Sequence, residues 1–160
     1  MLAILLLAGC LRGSDNSYQE NFDFSDLSGK TRTTSEFQGK VLLIDFFGVR
    51  CPPCQYQMLV LDEIYDEYKG SNFDLISIDV WMESESPELI EQFIQEYKDE
   101  MDIDLDWIFG YDDAEGTLLN KYANTGVPTL IILDKKGNIY YQNAGYTEYS
   151  YLADKIDELL

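Results

Sequence analysis

The sequence predicts an α/β domain with a mixed central β-sheet, helices on both faces of it, and an N-terminal β-hairpin. Three observations carry this. Two almost unbroken apolar runs, Val41 to Gly48 and Phe73 to Trp81, have the β-branched and aromatic content of strands covered on both sides. Each is followed by a stretch in which apolar residues recur at helical spacing. Further on, Val127 to Ala144 reads as a hairpin, and a last amphipathic helix follows it.

In chain order, Asn21 to Lys40 alternates aromatic and polar residues around a Ser28-Gly29 turn, which predicts the hairpin, and Ser35 is the expected cap of one short helical turn. Val41 to Gly48 is the central strand, with Asp45 as its anomaly. From Pro52 the period becomes helical, with Met58, Leu61, Ile64, Tyr65 and Tyr68 on one stripe and Asp62, Glu63, Asp66 and Glu67 opposite. Gly70 ends this helix. After the strand Phe73 to Trp81, Ser86 and Pro87 open a helix whose apolar face is Leu89, Ile90, Phe93, Ile94, Tyr97 and Met101. A short strand is expected around Trp107 to Phe109, and a short helix ending near Asn124 to Gly126. The hairpin turns at Lys135 to Asn138. The last helix, from about Glu148, is expected to bury Tyr151, Leu152, Ile156, Leu159 and Leu160. At 160 residues, 46% apolar and 14% aromatic, the chain suits one packed domain, placed here at residues 21–160.

Composition excludes several function classes. Eleven Lys plus Arg against thirty Asp plus Glu give a formal charge of −19, which repels phosphate backbones, so nucleic acid is not an expected partner. Histidine is absent, which removes Ser-His and Cys-His dyads, His-ligated haem, and His-containing zinc or copper sites. Any chemistry rests on thiols and carboxylates.

The opening MLAILLLAGC is too short to span a bilayer as a helix but suits the apolar part of a signal segment, although no Lys or Arg precedes it. Its Leu7-Ala8-Gly9-Cys10 resembles the lipobox of bacterial-type lipoproteins. That resemblance implies a signal segment over residues 1–9, a lipid on Cys10, and a tether over residues 10–20 that holds the domain at the extracytoplasmic face of the membrane. It leaves Cys51 and Cys54 as the cysteines of the folded domain.

Those two stand as Cys51-Pro52-Pro53-Cys54. A metal needs about four ligands, and two cysteines without histidine do not supply them, so no metal site is expected. A structural disulfide here would close only a tiny loop, and stabilisation grows with loop length. Redox exchange suits the setting better. Directly after a buried strand and at the first turn of a helix, Cys51 meets unpaired backbone N–H groups and a dipole that favour thiolate. Pro52 and Pro53 fit that turn because their missing donors would be unpaired there anyway. Cys51 is then the outward-facing attacker and Cys54, one turn inward, resolves the mixed disulfide. Arg50 beside Cys51 favours the thiolate, while the acidic background is screened beyond about 8 Å.

The segments GKVLLIDFFGVRCPPC and GVPTLIILDKKGNI, in this order, resemble the thioredoxin superfamily, specifically its TlpA-like or ResA-like membrane-anchored thiol-disulfide oxidoreductases. The resemblance covers about Phe22 to the carboxyl terminus. It implies a thioredoxin-like fold in which Val127-Pro128-Thr129 is a cis-proline loop facing the redox pair, with its backbone pairing to the partner chain; Arg50, Pro52 and Pro53 complete that surface. It further implies a monomer with no bound cofactor, since the electrons sit in the dithiol. The expected partners are cysteine-containing exported proteins, for example in cytochrome c maturation, and an upstream membrane thiol/disulfide donor.

Three positions depart from the family. Arg50 stands where tryptophan is usual, and Gln57 where most TlpA-like members have glutamate. Asp45 occupies a strand position that is often asparagine. A carboxylate thus moves from helix to strand, where burial would raise its pKa and let it take a proton from Cys54; the other reading of Asp45 is a strand-end carboxylate bonded to nearby backbone. Two other classes share parts of this pattern. A peroxiredoxin-like thiol peroxidase would need a Pro-x-x-x-Thr-x-x-Cys setting, absent here, and a metallochaperone would need further ligands. The segment Trp81-Met82-Glu83 reads as an ordinary loop, with the rim of the site as its second reading, and the tyrosines of GYTEYSYL as core and amphipathic surface, with a binding platform as theirs.

Overall fold

The apolar run Val41–Phe47 needs cover on both faces and a neighbour along each edge, and the rest of the fold supplies both. In the computed structural model, which describes residues 18–160, seven strands form one sheet. They are β1 (Asp23–Asp26), β2 (Thr31–Thr33), β3 (Val41–Phe47), β4 (Phe73–Asp79), β5 (Ile108–Tyr111), β6 (Thr129–Leu133) and β7 (Ile139–Ala144), in the order β2-β1-β5-β4-β3-β6-β7. The pairs β3/β4 and β4/β5 are parallel, and all others are antiparallel. Every residue of β3 is buried. The signal-type segment, Cys10 and residues 10–17 of the tether lie outside the described residues.

Four helices cover the sheet: α1 (Pro52–Tyr68), α2 (Pro87–Met101), α3 (Thr117–Tyr122) and α4 (Tyr149–Asp157). Side chains alternate across a strand, so β3 divides its residues between two cores. Val41, Leu43 and Phe47 pack with Met58 and Leu61 of α1, Ile90 and Phe93 of α2, and Leu152 and Ile156 of α4. Leu42, Ile44 and Phe46 meet Leu118 and Tyr122 of α3 on the other face, where the Phe46 and Tyr122 rings stack at 5.4 Å. Helices therefore lie on both faces, as expected, with three on one side and one on the other. Among the described residues, no helix is long and apolar enough to cross a membrane.

The helix ends follow local chemistry. Pro52 and Pro53 open α1, and Gly70 follows it at φ +89°, a backbone angle that glycine adopts without a Cβ penalty. Ser86 caps α2 through its Oγ, which accepts from Leu89 N–H at 3.4 Å. The short α3 has no cap of its own at Gly116. Instead the buried Asp112 carboxylate accepts from Leu118 and Leu119 N–H at 2.9 Å.

Several expectations are corrected. The first helical turn is a 3-10 turn, Thr34–Phe37, entered at Thr33 rather than capped by Ser35, with the Glu36 carboxylate accepting from Thr33 N–H at 3.1 Å. The second long strand stops at Asp79, because that side chain accepts from Trp81 N–H at 2.8 Å and turns the chain. The third short strand begins at Ile108, and β6 begins at Thr129, after the cis Val127–Pro128 bond. Met101 and Leu160, at chain and helix ends, and Tyr151, which leans on Tyr141 at 5.3 Å, are exposed rather than buried. Tyr18 is buried beside Gly137 and Glu20 accepts from Tyr122 OH, so Tyr18–Glu20, expected as part of a tether, pack with the domain.

The hairpin joins the sheet through β1 and β5, and Gly110 sits at that seam opposite Asp26. A Cβ there would lie 2.6 Å from the buried Phe24 ring and 2.6 Å from the Ser25 carbonyl oxygen. Gly110→Ala is therefore expected to destabilise the protein by about 1–3 kcal/mol by forcing the two strands apart, read as a lower urea midpoint. An unchanged midpoint would show that the seam can yield.

Candidate active site

The register of β3 with its neighbours brings distant segments together. Phe46 pairs with Thr129, so the residues just before β6 lie alongside the chain leaving β3, and that chain runs directly through Gly48, Val49 and Arg50 into Cys51. Cys51 and Cys54 form a disulfide with Cα atoms 5.2 Å apart. Cys51 is the N-cap of α1, and its sulfur accepts from Cys54 N–H at 3.3 Å. The Val127 carbonyl oxygen approaches the same sulfur from the cis-proline loop at 3.7 Å.

This arrangement favours thiol chemistry. A sulfur at a helix N-cap faces unpaired N–H groups, which stabilise negative charge on it after reduction. Two expectations for the site need correction. Cys51 is only 3% exposed in the disulfide form, so its sulfur is covered rather than outward-facing; Pro52 and Pro53 are the exposed residues of the motif. Thr129 is buried, with its hydroxyl donating to Gly126 O at 2.6 Å, so it shapes the loop instead of facing a partner. Val127 is half-buried and Pro128 buried.

Arg50 does lie next to Cys51, but its guanidinium is committed to the loop before α2, donating to Ser84 O at 2.8 Å. Its backbone N–H and that of Val49 donate to the two oxygens of Glu85, at 2.9 Å and 2.7 Å. Glu85 is nearly buried, and Trp81 lies over Gly48 so closely that a Cβ there would be 2.4 Å from the indole. The segment read from sequence as an ordinary loop thus holds the entry to the redox turn. The sequence signal available here is that Trp81-Met82-Glu83 follows the second long strand, at the carboxyl end of a parallel strand, where sites form in open α/β sheets.

Asp45 is fully buried. By alternation it projects on the same sheet face as Leu43 and Phe47, the face packed against Cys54 and α1. Oδ2 accepts from Ser77 Oγ at 3.1 Å, Ser77 Oγ in turn accepts from Trp107 Nε1 at 3.0 Å, and Oδ1 has no partner. Burial pushes the Asp45 carboxyl up to about 7, against which the Ser77 bond works weakly. Its bonds go to side chains and not to strand-end backbone.

Gln57 is equally buried and makes a two-bond clamp with one backbone unit. Its Nε2 donates to Thr147 O at 3.1 Å and its Oε1 accepts from Thr147 N–H at 2.8 Å. The clamp ties α1 to the loop between β7 and α4, which carries Tyr146. Tyr146, Tyr56, Pro52, Pro53 and Leu59 line an open apolar groove of about 580 Å³ that starts at the redox motif. Tyr146 is therefore a groove residue, in line with the second reading of the GYTEYSYL tyrosines rather than the first.

A family model described as Redoxin matches residues 15–158. The thiol-disulfide oxidoreductase ResA of Bacillus thuringiensis subsp. konkukian is 26% identical over 125 residues, which are 78% of this chain and 66% of that protein. ResA of Halalkalibacterium halodurans is 29% identical over 126 residues, or 78% of this chain and 65% of that one. The match thus spans just under two thirds of the length of these relatives. Among solved structures, a thioredoxin-like protein from Aeropyrum pernix superposes with a TM-score of 0.71 at 24% identity, covering 86% of this chain and 89% of its own. The fold is thioredoxin-like.

The clamp explains why an amide stands at position 57. A carboxylate there would accept from Thr147 N–H but oppose the Thr147 carbonyl with a second acceptor. Gln57→Glu is expected to cost roughly 1–3 kcal/mol at neutral pH, with most of the loss recovered at acid pH, where a protonated glutamate donates again. Thermal melts at the two pH values check this; equal losses at both would remove the donor argument.

Proposed function

The chain belongs to the Redoxin family, and from that premise we propose that it is a protein thiol-disulfide oxidoreductase that reduces disulfides of exported proteins, for example in cytochrome c maturation. The observation that carries the reading is the Cys51–Cys54 pair at the strand-to-helix junction with the Val127 carbonyl of a cis-proline loop against the Cys51 sulfur.

The cycle runs in the reducing direction, which the resemblance to ResA-like proteins favours. In the reduced protein the Cys51 thiolate attacks one sulfur of a partner disulfide, forming a mixed disulfide and releasing the other partner sulfur as thiolate, which takes a proton. Cys54 then loses its proton to Asp45 and attacks the Cys51 sulfur. The Cys51–Cys54 disulfide forms, the second partner thiol leaves, and two electrons have passed from the dithiol to the partner. A membrane thiol donor would restore the dithiol. The backbone of Val127 and Pro128 offers main-chain groups to the partner beside the sulfur. The groove bounded by Pro52, Pro53, Tyr56 and Tyr146 offers apolar surface next to it. No bound cofactor takes part. The Leu7-Ala8-Gly9-Cys10 sequence supports a lipid anchor at the extracytoplasmic face.

Cys54→Ser in the host is expected to leave Cys51 joined to its protein partners as mixed disulfides that are stable on non-reducing gels. If Cys51 captures no protein, and the wild type neither reduces nor oxidises a test disulfide, the proposed activity fails.

For Asp45 the sign is definite. A base must be ionised, so the rate of mixed-disulfide resolution should rise with pH through about 7 in the wild type. Asp45→Asn should resolve roughly tenfold to a hundredfold more slowly and lose that rise. A stopped-flow profile that matches the wild type would remove Asp45 from the mechanism.

A further inference from the structure

The turn entering Cys51 is held from every side. Cys51 N–H donates to Gly48 O at 3.2 Å, and Val49 O accepts from Gln55 Nε2 at 2.9 Å. The N–H groups of Val49 and Arg50 both donate to the Glu85 carboxyl, which uses one oxygen for each. Behind Glu85 lies Asp79, fully buried at the end of β4. Asp79 Oδ1 accepts from Trp81 N–H at 2.8 Å, and no donor reaches its Oδ2. Phe47 pairs with Asp79 in register, which sets Asp79 beside the turn that leaves β3, and Glu85 is the neighbouring carboxyl that acts on it. A bond between two carboxyls needs a proton, and both Glu85 oxygens already accept backbone N–H. A proton shared between Asp79 and Glu85 would therefore sit on Asp79 Oδ2 and be donated to Glu85.

We propose that Asp79 and Glu85 are positioning residues, a proton-sharing carboxyl pair that fixes the Val49-Arg50 turn and thereby sets the reactivity of Cys51. The proposal rests on the reading of Cys51 as the attacking sulfur. When the shared proton is lost, two negative charges face each other in a buried site, and the cheapest relief is for Glu85 to leave the turn. Val49 and Arg50 N–H then lose their acceptor, and the sulfur loses its fixed place over the first turn of α1. The loss falls at moderately alkaline pH, because burial, followed by the bond to Glu85, pushes Asp79 up to about 8.

Other ionisable groups around the pair are accounted for. Arg50 is the neighbouring cation, with its guanidinium held on Ser84 O. Glu88, at the start of α2, lines the surface beside Arg50 and Glu85 but is fully exposed, and its own backbone and Ser86 hold it below the usual carboxylate range. On β5, Tyr111 pairs with Asp79 in register. Asp112 donates its N–H to Asp79 O at 2.9 Å while its carboxylate faces the start of α3. Glu85 is the charge that acts on Asp79.

The test is the alkylation rate of Cys51 in the reduced full-length chain, read by mass spectrometry at its own peptide and divided by the thiolate fraction. In the wild type this normalised rate should fall roughly tenfold as pH rises through about 8, the worth of one charge-assisted hydrogen bond to the turn. In Asp79→Asn it should not fall, because the amide can donate to Glu85 and accept from Trp81 N–H with no proton to lose. A wild-type rate that stays flat, or a fall that persists in the variant, overturns the proposal. If Asp79→Asn does not fold, amide hydrogen exchange in the wild type decides the matter. Protection at Val49 and Arg50 should drop through the same pH range, and constant protection overturns the pair. These readouts need no partner protein, so they can fail while Cys54→Ser still captures partners, and the converse.

Discussion

The antiparallel pairing of β3 with β6 is the contact on which the site depends. With Phe46 opposite Thr129, the chain leaving β3 and the chain entering β6 meet at one end of the sheet. One of them turns into α1 through Cys51, and the other arrives as Val127-Pro128. A one-residue slip would exchange the two faces of β3 and move Asp45 to the side of α3. The full burial of β3, with large apolar residues on both faces, makes such a slip costly. The apolar run that sets the fold is therefore also what aims the thiol pair at the loop.

A protein without histidine has to handle protons near neutrality with other groups, and burial provides them here. Asp45 is raised to about 7 and Asp79 to about 8, each chiefly by burial, from the ordinary aspartate value of 3.8. Both shifts go upward, so the folded state holds these protons more tightly than the unfolded state. Their stabilising contribution is full below about pH 4 and is lost as pH rises towards 7 and 8. Above that range the fold carries the cost of burying two charges, on the order of a few kcal/mol. Part of the stability of this domain is thus given over to keeping ionisable groups beneath the redox turn.

The fold was largely legible in the sequence because its signals are local. Runs of apolar residues, helical periodicity and Pro-Pro between two cysteines are all contained in short windows, and they located β3, α1, β4, α2 and the final hairpin. What escaped was set by partners distant in the chain. Gln57 meets Thr147 ninety residues away, and Glu85 meets Val49 thirty-six residues away. Neither pairing leaves a periodic trace. Exposure failed for a related reason: Met101 and Tyr151 keep helical spacing but lie beyond, or at the rim of, the surface their helices cover. The covering of Cys51 is likewise a product of the cis-proline loop, seventy-six residues further on.

The departures at positions 45 and 57 make sense together. On α1, one turn after Cys54, an amide locks two backbone groups of the loop bearing Tyr146, and an amide keeps that lock at any pH. A carboxyl at the same place would make the loop, and with it one wall of the apolar groove, sensitive to its own protonation. With Asp45 on the strand instead, the ionisable group lies on the sheet face that packs against Cys54 and touches side chains, Ser77 and through it Trp107, not the groove. In the proposed mechanism, proton transfer and groove shape then fall to separate elements. The groove would then keep its form through the proposed cycle, in which Asp45 gains and loses a proton.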